Sequence, residues 1–384
     1  MLVLAIAQGL YGSGAIIVFT LGSLTGQMLS VNKALATLPI TAYVLGAALS
    51  TYPASMYMQR FGRRTGFMTG AFMGMSGTGL AVVAIYLASF PLFVASMFIA
   101  GFYQAFSQFY RFAAADTASE TFKPKAISWV LAGGVAAAFA GPQIAIWSKD
   151  LLAPMSFAGA FAAAMGLSAI AQIVLLFVDI PKTRAELFDG KPRPLGRVIR
   201  NPRFIVAVIC AMTSYAIMNL VMTATPLSIV SCGFSVADAA FVIQWHVVAM
   251  FAPGFFTGFL ITRFGVEKII ALGLILLAAC GIVALSGISL ARFWSALVLL
   301  GLGWNLAFVG ATTMVTDCYR PIEKAKVQGI NDLCVFGSVA LASLLSGVLF
   351  QNFGWQSVNL TIFPFVTLAL ILIFWLANME KRAA

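Results

Sequence analysis

Charge is what this sequence has least of. Asp, Glu, Lys and Arg together make up 9% of its 384 residues, against about 25% in an ordinary soluble domain. A soluble surface on a chain of this length needs several-fold more, so almost every side chain must face protein or lipid. Histidine occurs once, and acidic residues only 12 times. No Gly-rich phosphate-binding loop is present, so ATP-driven transport has no support. No serine, cysteine or carboxylate constellation suggests an enzyme. Five cysteines, Cys210, Cys232, Cys280, Cys318 and Cys334, do not read as a disulfide framework.

Apolar sequence fills the gap, at 61% of the chain. Stretches of 20 or more apolar residues recur, and each is long enough to cross a hydrocarbon core of about 30 Å as a helix. Twelve such spans are predicted between residues 3 and 378, six on each side of a polar stretch at 179–203. The first lacks a basic leader and a small-residue cleavage site, so it is read as a retained span. With both termini inside, 20 of the 23 Lys and Arg residues fall on the cytoplasmic side, leaving Lys33, Lys149 and Arg292 outside. Short loops rich in Lys and Arg resist translocation, so this asymmetry supports the span count and the orientation together. The net charge of +11 is thereby topological, and nucleic acid is not a required partner.

The stretch 179–203 carries seven Lys or Arg and four Pro residues. It is expected to be a basic cytoplasmic linker whose charge topology explains, with acidic-lipid binding as the alternative; membrane lipid is an expected partner of the chain. It divides the chain into an N-terminal six-helix bundle, 1–178, and a C-terminal one, 204–384. The two halves echo each other. Gln59-Arg60-Phe61-Gly62-Arg63-Arg64 after span two matches Thr262-Arg263-Phe264-Gly265-Val266-Glu267 after span eight, 203 residues on. After spans four and ten, Asp116, Lys123 and Lys125 align with Asp317, Lys324 and Lys326, 201 residues on.

The turn after span two resembles the G-x-L-x-D-R-x-G-R-R loop of the major facilitator superfamily, with Ser55, Tyr57 and Gln59 at the Gly, Leu and Asp positions. The resemblance implies an all-α membrane protein of twelve helices in two pseudo-symmetric six-helix bundles that rock about a midplane site. Arg60, Arg63 and Arg263 in the two turns, with Arg111, Asp116, Asp317 and Asp332 near the inner ends of spans, are candidates for gating pairs or a proton path. Stabilising contacts at the cytoplasmic rim are the alternative. Tyr103, Gln104, Gln108, Asn219, Trp304 and Asn305 are candidate cavity-lining groups. Gly133 and Gly141-Pro142 in span five are read as packing or a kink.

In so apolar a chain, each polar group within the membrane is a functional candidate. The single histidine, His246, stands four residues before Met250 in span eight, and Met218 stands four before Met222 in span seven. Residues four apart share a helix face. In an antiparallel hairpin, Met222 falls level with His246 and Met218 with Met250, roughly 12 to 20 Å below the outer surface. Methionine is also an ordinary packing residue. Read as ligands, three thioethers and an imidazole form a soft, neutral set suited to copper, particularly Cu(I). Cys210 and Cys232, near opposite ends of span seven, are candidates for a copper relay, with buried apolar thiols as the alternative.

The same two motifs resemble the CcoA-like copper importers, bacterial facilitators with Met-x-x-x-Met in span seven and His-x-x-x-Met in span eight. That resemblance implies import of copper, as substrate rather than cofactor, across the bacterial cytoplasmic (inner) membrane. It also implies a cytoplasmic copper chaperone as partner and delivery toward haem-copper oxidase assembly. The competing expectation is an organic-solute facilitator, either a riboflavin-type importer or a drug/proton antiporter, with His246 hydrogen-bonded to the solute. A copper-binding sensor or assembly subunit is a third reading, but no loop longer than about 25 residues supplies it with a soluble domain.

Overall fold

The computed structural model describes residues 2–110, 113–114, 123–178, 180, 193–320 and 323–383, and the long elements among them are helices. The first six are α1 (Leu2–Leu29), α2 (Leu38–Phe61), α3 (Arg63–Tyr86), α4 (Phe90–Ser107), α5 (Lys123–Ser148) and α6 (Ala158–Leu175). The second six begin with α7 (Pro202–Ser231) and α8, a helix bent by 43° between Val236–Phe251 and Gly254–Phe264. They continue with α9 (Val266–Leu285), α10 (Leu290–Thr316), α11 (Lys324–Leu360, broken at Gly354) and α12 (Ile362–Ala383). Nine described helices, or ten with the bent pair, are long and apolar enough to cross a membrane. The last of these candidates, Lys326–Glu380, contains two expected spans, and Lys123–Ser148 covers another, so each of the twelve predicted spans falls on a helix.

Polar caps and prolines divide these apolar runs into separate helices. Ser89 caps α4 by accepting from the Leu92 N–H at 3.4 Å, and Asn201 caps α7 by accepting from Arg203 N–H at 3.0 Å. At α8 a reciprocal capping box forms: Asp238 N–H donates to Ser235 Oγ at 3.1 Å, and Ser235 N–H donates to Asp238 Oδ2 at 2.9 Å. Each device satisfies N–H groups that the first helical turn leaves unpaired, which matters most beside lipid. The bend in α8 follows from Pro253, which supplies no N–H to the helix ladder.

The packing repeats. In the first half α1 lies on α5 and α6, α2 on α4, and α3 on α4 and α6; in the second half α7 lies on α11 and α12, α8 on α10, and α9 on α10 and α12. Every pair recurs with each helix number raised by six. Between the halves, α2 meets α11 and α5 meets α8, again related by the same exchange. Glycine permits the close crossings. A Cβ on Gly101 of α4 would collide with the Tyr43 carbonyl of α2, and one on Gly301 of α10 would lie 2.6 Å from the His246 carbonyl of α8.

The halves close on each other at the end remote from the chain termini. A Cβ on Gly347 of α11 would lie 2.5 Å from Thr37 Oγ1, at the start of α2. Gln143 of α5 donates to Gln244 of α8 at 3.4 Å, and Phe139 meets Trp245 edge-on at 6.3 Å. Leu21 and Leu24 of α1 share a buried cluster with Leu227 of α7.

At the terminus end, the described part of the linker is tied to the second half. Arg193 grips Glu323 through Nε at 2.9 Å and Nη2 at 2.7 Å, and also donates to the Cys318 carbonyl at 3.0 Å. The guanidinium, helped by the Arg320 N–H, holds the Glu323 carboxyl down at about 2. A depressed carboxylate stabilises the fold above the ordinary carboxylate range and loses that effect only as pH falls toward about 2. The clamp therefore persists through neutral and mildly acidic pH. Glu323→Gln should open it, seen as faster tryptic cleavage within 179–203 at pH 7, whereas lowering the pH of the unaltered protein to 5.5 should not. In the helix crossings, Gly101→Ala should destabilise by about 1–3 kcal/mol through overpacking. Gly258→Ala, with nothing within 4 Å of its Cβ position, should be neutral; thermal unfolding in detergent checks both.

Candidate functional site

Two aromatic clusters occupy matching places in the two halves. In the first, Tyr11 of α1 meets Tyr103 of α4 edge-on at 4.9 Å, and its hydroxyl lies 3.5 Å from that of Tyr43 of α2. Tyr110 donates to the Tyr103 hydroxyl at 3.4 Å. A cavity of about 20 Å³ beside these rings, lined also by Thr78 and Ser168, has room for about one water molecule. In the second half, Trp304 and Phe308 of α10 stack at 5.3 Å with only 12° between their planes. Tyr215 of α7 packs edge-on against both, at 5.4 and 5.0 Å, and against Phe336 of α11 at 5.9 Å. Tyr215 also lies within electrostatic reach of Tyr43, so the clusters adjoin across the boundary between the halves.

Offset aromatic arrangements of this kind present flat faces and electropositive edges without any formal charge. Buried polar atoms add direction. The Trp304 indole N–H and the Gln104 Oε1 have no hydrogen-bond partner among the described residues. A neutral, planar solute that donates and accepts hydrogen bonds is the chemical complement of such a surface.

Of the predicted cavity-lining groups, Tyr103 and Trp304 belong to the two clusters. Asn305 is used structurally: its Nδ2 donates to the Met250 carbonyl at 2.7 Å beside the α8 bend, while Oδ1 accepts from Thr257 at 2.6 Å. Asn219 donates to the Val339 carbonyl of α11 at 3.4 Å, which ties α7 to α11. Gln108 ends α4 as its C-cap, donating its N–H to the Gln104 carbonyl. Tyr11, Tyr43, Tyr215 and Phe308 join the clusters without belonging to any motif of the sequence. The repeat offset of 203 carried a signal, because it sets Tyr43 against His246, and the glycine crossings at Gly101 and Gly301 place those two residues equivalently.

The four candidate copper ligands are all buried. Met218, Met222 and Met250 are 2%, 5% and 8% exposed, within one apolar core that also holds Leu297 and Leu300. His246 is fully buried, and its Nδ1–H donates to the Leu297 carbonyl of α10 at 2.8 Å. That bond fixes the tautomer and leaves Nε2 as an acceptor, unpartnered among the described residues. The imidazole thus fastens α8 to α10. Cys210, buried, lies in the third turn of α7, and Cys232, half-buried, is its C-cap.

The charged candidates gather at the terminus end. Arg60 and Arg263 lie over Phe61 and Phe264 at 5.3 and 5.5 Å, equivalent contacts in the two repeated turns. Asp317 joins a cluster around Arg203, at 3.4 Å, with Glu267 at 2.9 Å and Glu380 at 2.8 Å. This ties the ends of α7, α9, α10 and α12 together. Asp332 accepts from Asn331 at 3.1 Å. Arg63 stands in the first turn of α3. Arg111 and Asp116 lie outside the described residues.

Comparison with known proteins redirects the functional expectation. The riboflavin transporter RfnT of Brucella anthropi (strain ATCC 49188) is 48% identical over 371 residues, covering 96% of this chain and 93% of that protein. The MFS-type transporter YddS of Bacillus subtilis is 29% identical over 94% of this chain and 86% of its own length. In fold, the chain superimposes on the nucleoside transporter NupG with a TM-score of 0.75 at 16% identity, covering 98% of this chain and 99% of that one. A D-xylose-proton symporter gives 0.74 at 14% identity, covering 97% and 95%.

The expectation of a copper importer is overturned by the near-full-length likeness to a riboflavin transporter. With it go copper as substrate and oxidase assembly. The physical source of the error is that unbranched thioethers suit a membrane core as well as a soft metal ion. If the methionines pack, Leu at Met218, Met222 and Met250 together should cost less than about 1.5 kcal/mol per site. Thermal unfolding and solute uptake of the triple variant should stay close to those of the unaltered protein.

The Major Facilitator Superfamily model matches residues 4–253 and 209–384, nearly the whole chain in two overlapping registers. Two halves with one packing pattern, joined at α2/α11 and α5/α8, are the fold that such a double match requires. The chain is a multi-pass membrane transporter, not an enzyme, and belongs to the major facilitator superfamily.

Proposed function

We propose that this chain imports riboflavin, or a close flavin relative, across the bacterial cytoplasmic membrane. The observation that carries the proposal is the 48% identity to a riboflavin transporter along nearly the full length of both chains. The site chemistry agrees. Riboflavin is neutral, with a flat tricyclic ring and a polyhydroxylated side chain, and the adjoining clusters around Tyr11 and Trp304 offer aromatic faces and unpartnered polar atoms.

In this proposal the ring lies among Tyr215, Trp304 and the facing tyrosines, while the Trp304 N–H and Gln104 Oε1 take up its polar edge. The terminus end is cytoplasmic, because the basic residues concentrate there. The seal at α2/α11 and α5/α8 then closes the outer side. Import proceeds when the two halves rock and that seal opens in exchange for closure at the cytoplasmic end.

Uptake of radiolabelled riboflavin in a riboflavin-auxotrophic bacterium lacking its own importer tests the proposal. Cells expressing the chain should accumulate the label, and unlabelled riboflavin should compete for it. Trp304→Ala should raise the half-saturating concentration about tenfold, the equivalent of losing one stacking contact, while Trp304→Phe retains most of the affinity. Absence of riboflavin accumulation at normal membrane abundance of the unaltered protein would sink the proposal.

A further inference from the structure

A second recess lies on the first half at the terminus end, distinct from the cavity beside Tyr11 and Tyr103. It has a volume of about 300 Å³ and is lined by Arg64, Thr65, Met68, Thr69 and Phe72 of α3 and by Gln172 of α6. The α3 residues recur at intervals of about four, forming one stripe along its first two turns. Gln172 stands one turn before the end of α6, which returns to the same end of the bundle as α3 begins. The stripe changes character along its length: Arg64 and Thr65 are exposed at the bilayer edge, and Phe72, 48% exposed, lies deeper. Ile170 and Ile173 of α6 are also exposed beside it, as on a lipid-facing surface.

Two polar groups here lack partners. Arg64 has no acidic partner among the described residues, although the equivalent position in the second half, 203 residues on, is Glu267, which pairs with Arg203 at 2.9 Å. The amide oxygen Oε1 of Gln172 is buried and accepts no hydrogen bond. A cationic group at the bilayer edge, a buried acceptor beside it and an apolar stripe leading inward together describe an amphipathic occupant. The occupant must bring an anion to Arg64, a hydrogen-bond donor to Gln172 and a hydrocarbon chain to Met68 and Phe72.

We propose that this recess binds one anionic glycerophospholipid of the phosphatidylglycerol type. Its phosphate meets the Arg64 guanidinium and the Thr65 hydroxyl. A headgroup hydroxyl donates to Gln172 Oε1, and an acyl chain runs along Met68 and Phe72. Choline headgroups carry no donor for Gln172. Ethanolamine headgroups carry a donor but bring a positive charge into a turn that already holds Arg60, Arg63 and Arg64. The anionic headgroup meets both requirements, and anionic lipids are the ones that draw basic segments to the cytoplasmic leaflet.

Native mass spectrometry of the full chain, exposed to equimolar phosphatidylglycerol, phosphatidylethanolamine and phosphatidylcholine, tests the site. One phosphatidylglycerol should be retained in preference to the other two. Arg64→Gln and Gln172→Leu should each lower its occupancy about tenfold, as loss of a hydrogen bond to a charged or buried group does, and Arg64→Lys should restore most of it. Equal retention of all three lipids, or adducts unchanged in Arg64→Gln, overturns the proposal. Displacement of the adduct by soluble glycerophosphoglycerol overturns the lipid identity, because a free phosphodiester would then suffice. Size-exclusion profiles and the Arg64→Lys rescue separate a lost site from a misfolded protein.

Discussion

A polar group buried in hydrocarbon must find its partner inside the protein or cost several kcal/mol, and this constraint organises the molecule. It explains why α4, α7 and α8 begin at Ser or Asn caps, with Pro in the first turn of α4 and α7, which remove unpaired donors of the first turn. It explains Asn305, whose amide serves the carbonyl at the α8 bend and the hydroxyl of Thr257. It explains His246 as well, an imidazole that fastens two helices by donating to the Leu297 carbonyl. Polar atoms that remain unpartnered after these demands are met stand out, and they include the Trp304 indole and the Gln104 amide near the aromatic clusters.

The close crossings depend on the same economy of space. Gly101 and Gly301 let α4 and α10 approach the backbones of α2 and α8 at equivalent points. Lipid offers helices no hydrophobic gain on association, so tight van der Waals contact through small residues carries much of the packing. These crossings also bring Tyr103 beside Tyr11, and set Trp304 one turn from the point where α10 meets α8. The aromatic clusters are thus products of helix packing, held on rigid elements instead of loops. Rocking of the two halves can change the access to such clusters while their internal geometry persists.

Much of the fold was legible in the residues alone. Twelve spans, two halves and the repeated turn at Gly62 and Gly265 rest on hydropathy and on an offset of 203, properties local enough to read along a chain. The spacing of Met218, Met222, His246 and Met250 was legible too, yet it led to the wrong solute. Spacing places side chains on one helix face without saying what that face meets. The thioethers of α7 and α8 lie within an apolar core, and the imidazole binds the carbonyl of Leu297 in α10, 51 residues away in sequence.

Composition by itself determined that this protein lives in a membrane, and the scarcity and placement of charge determined its division into halves, because the cost of burying charge acts at every residue independently. Only tertiary structure decided which polar and aromatic groups converge. Tyr11, Tyr43 and Tyr103 come from three helices, and Tyr215, Trp304, Phe308 and Phe336 from three more. Their meeting depends on crossing angles and glycine contacts that no single segment contains. The recess between Arg64 and Gln172 is of the same kind, since its two polar groups lie more than 100 residues apart and become neighbours only where α3 packs on α6.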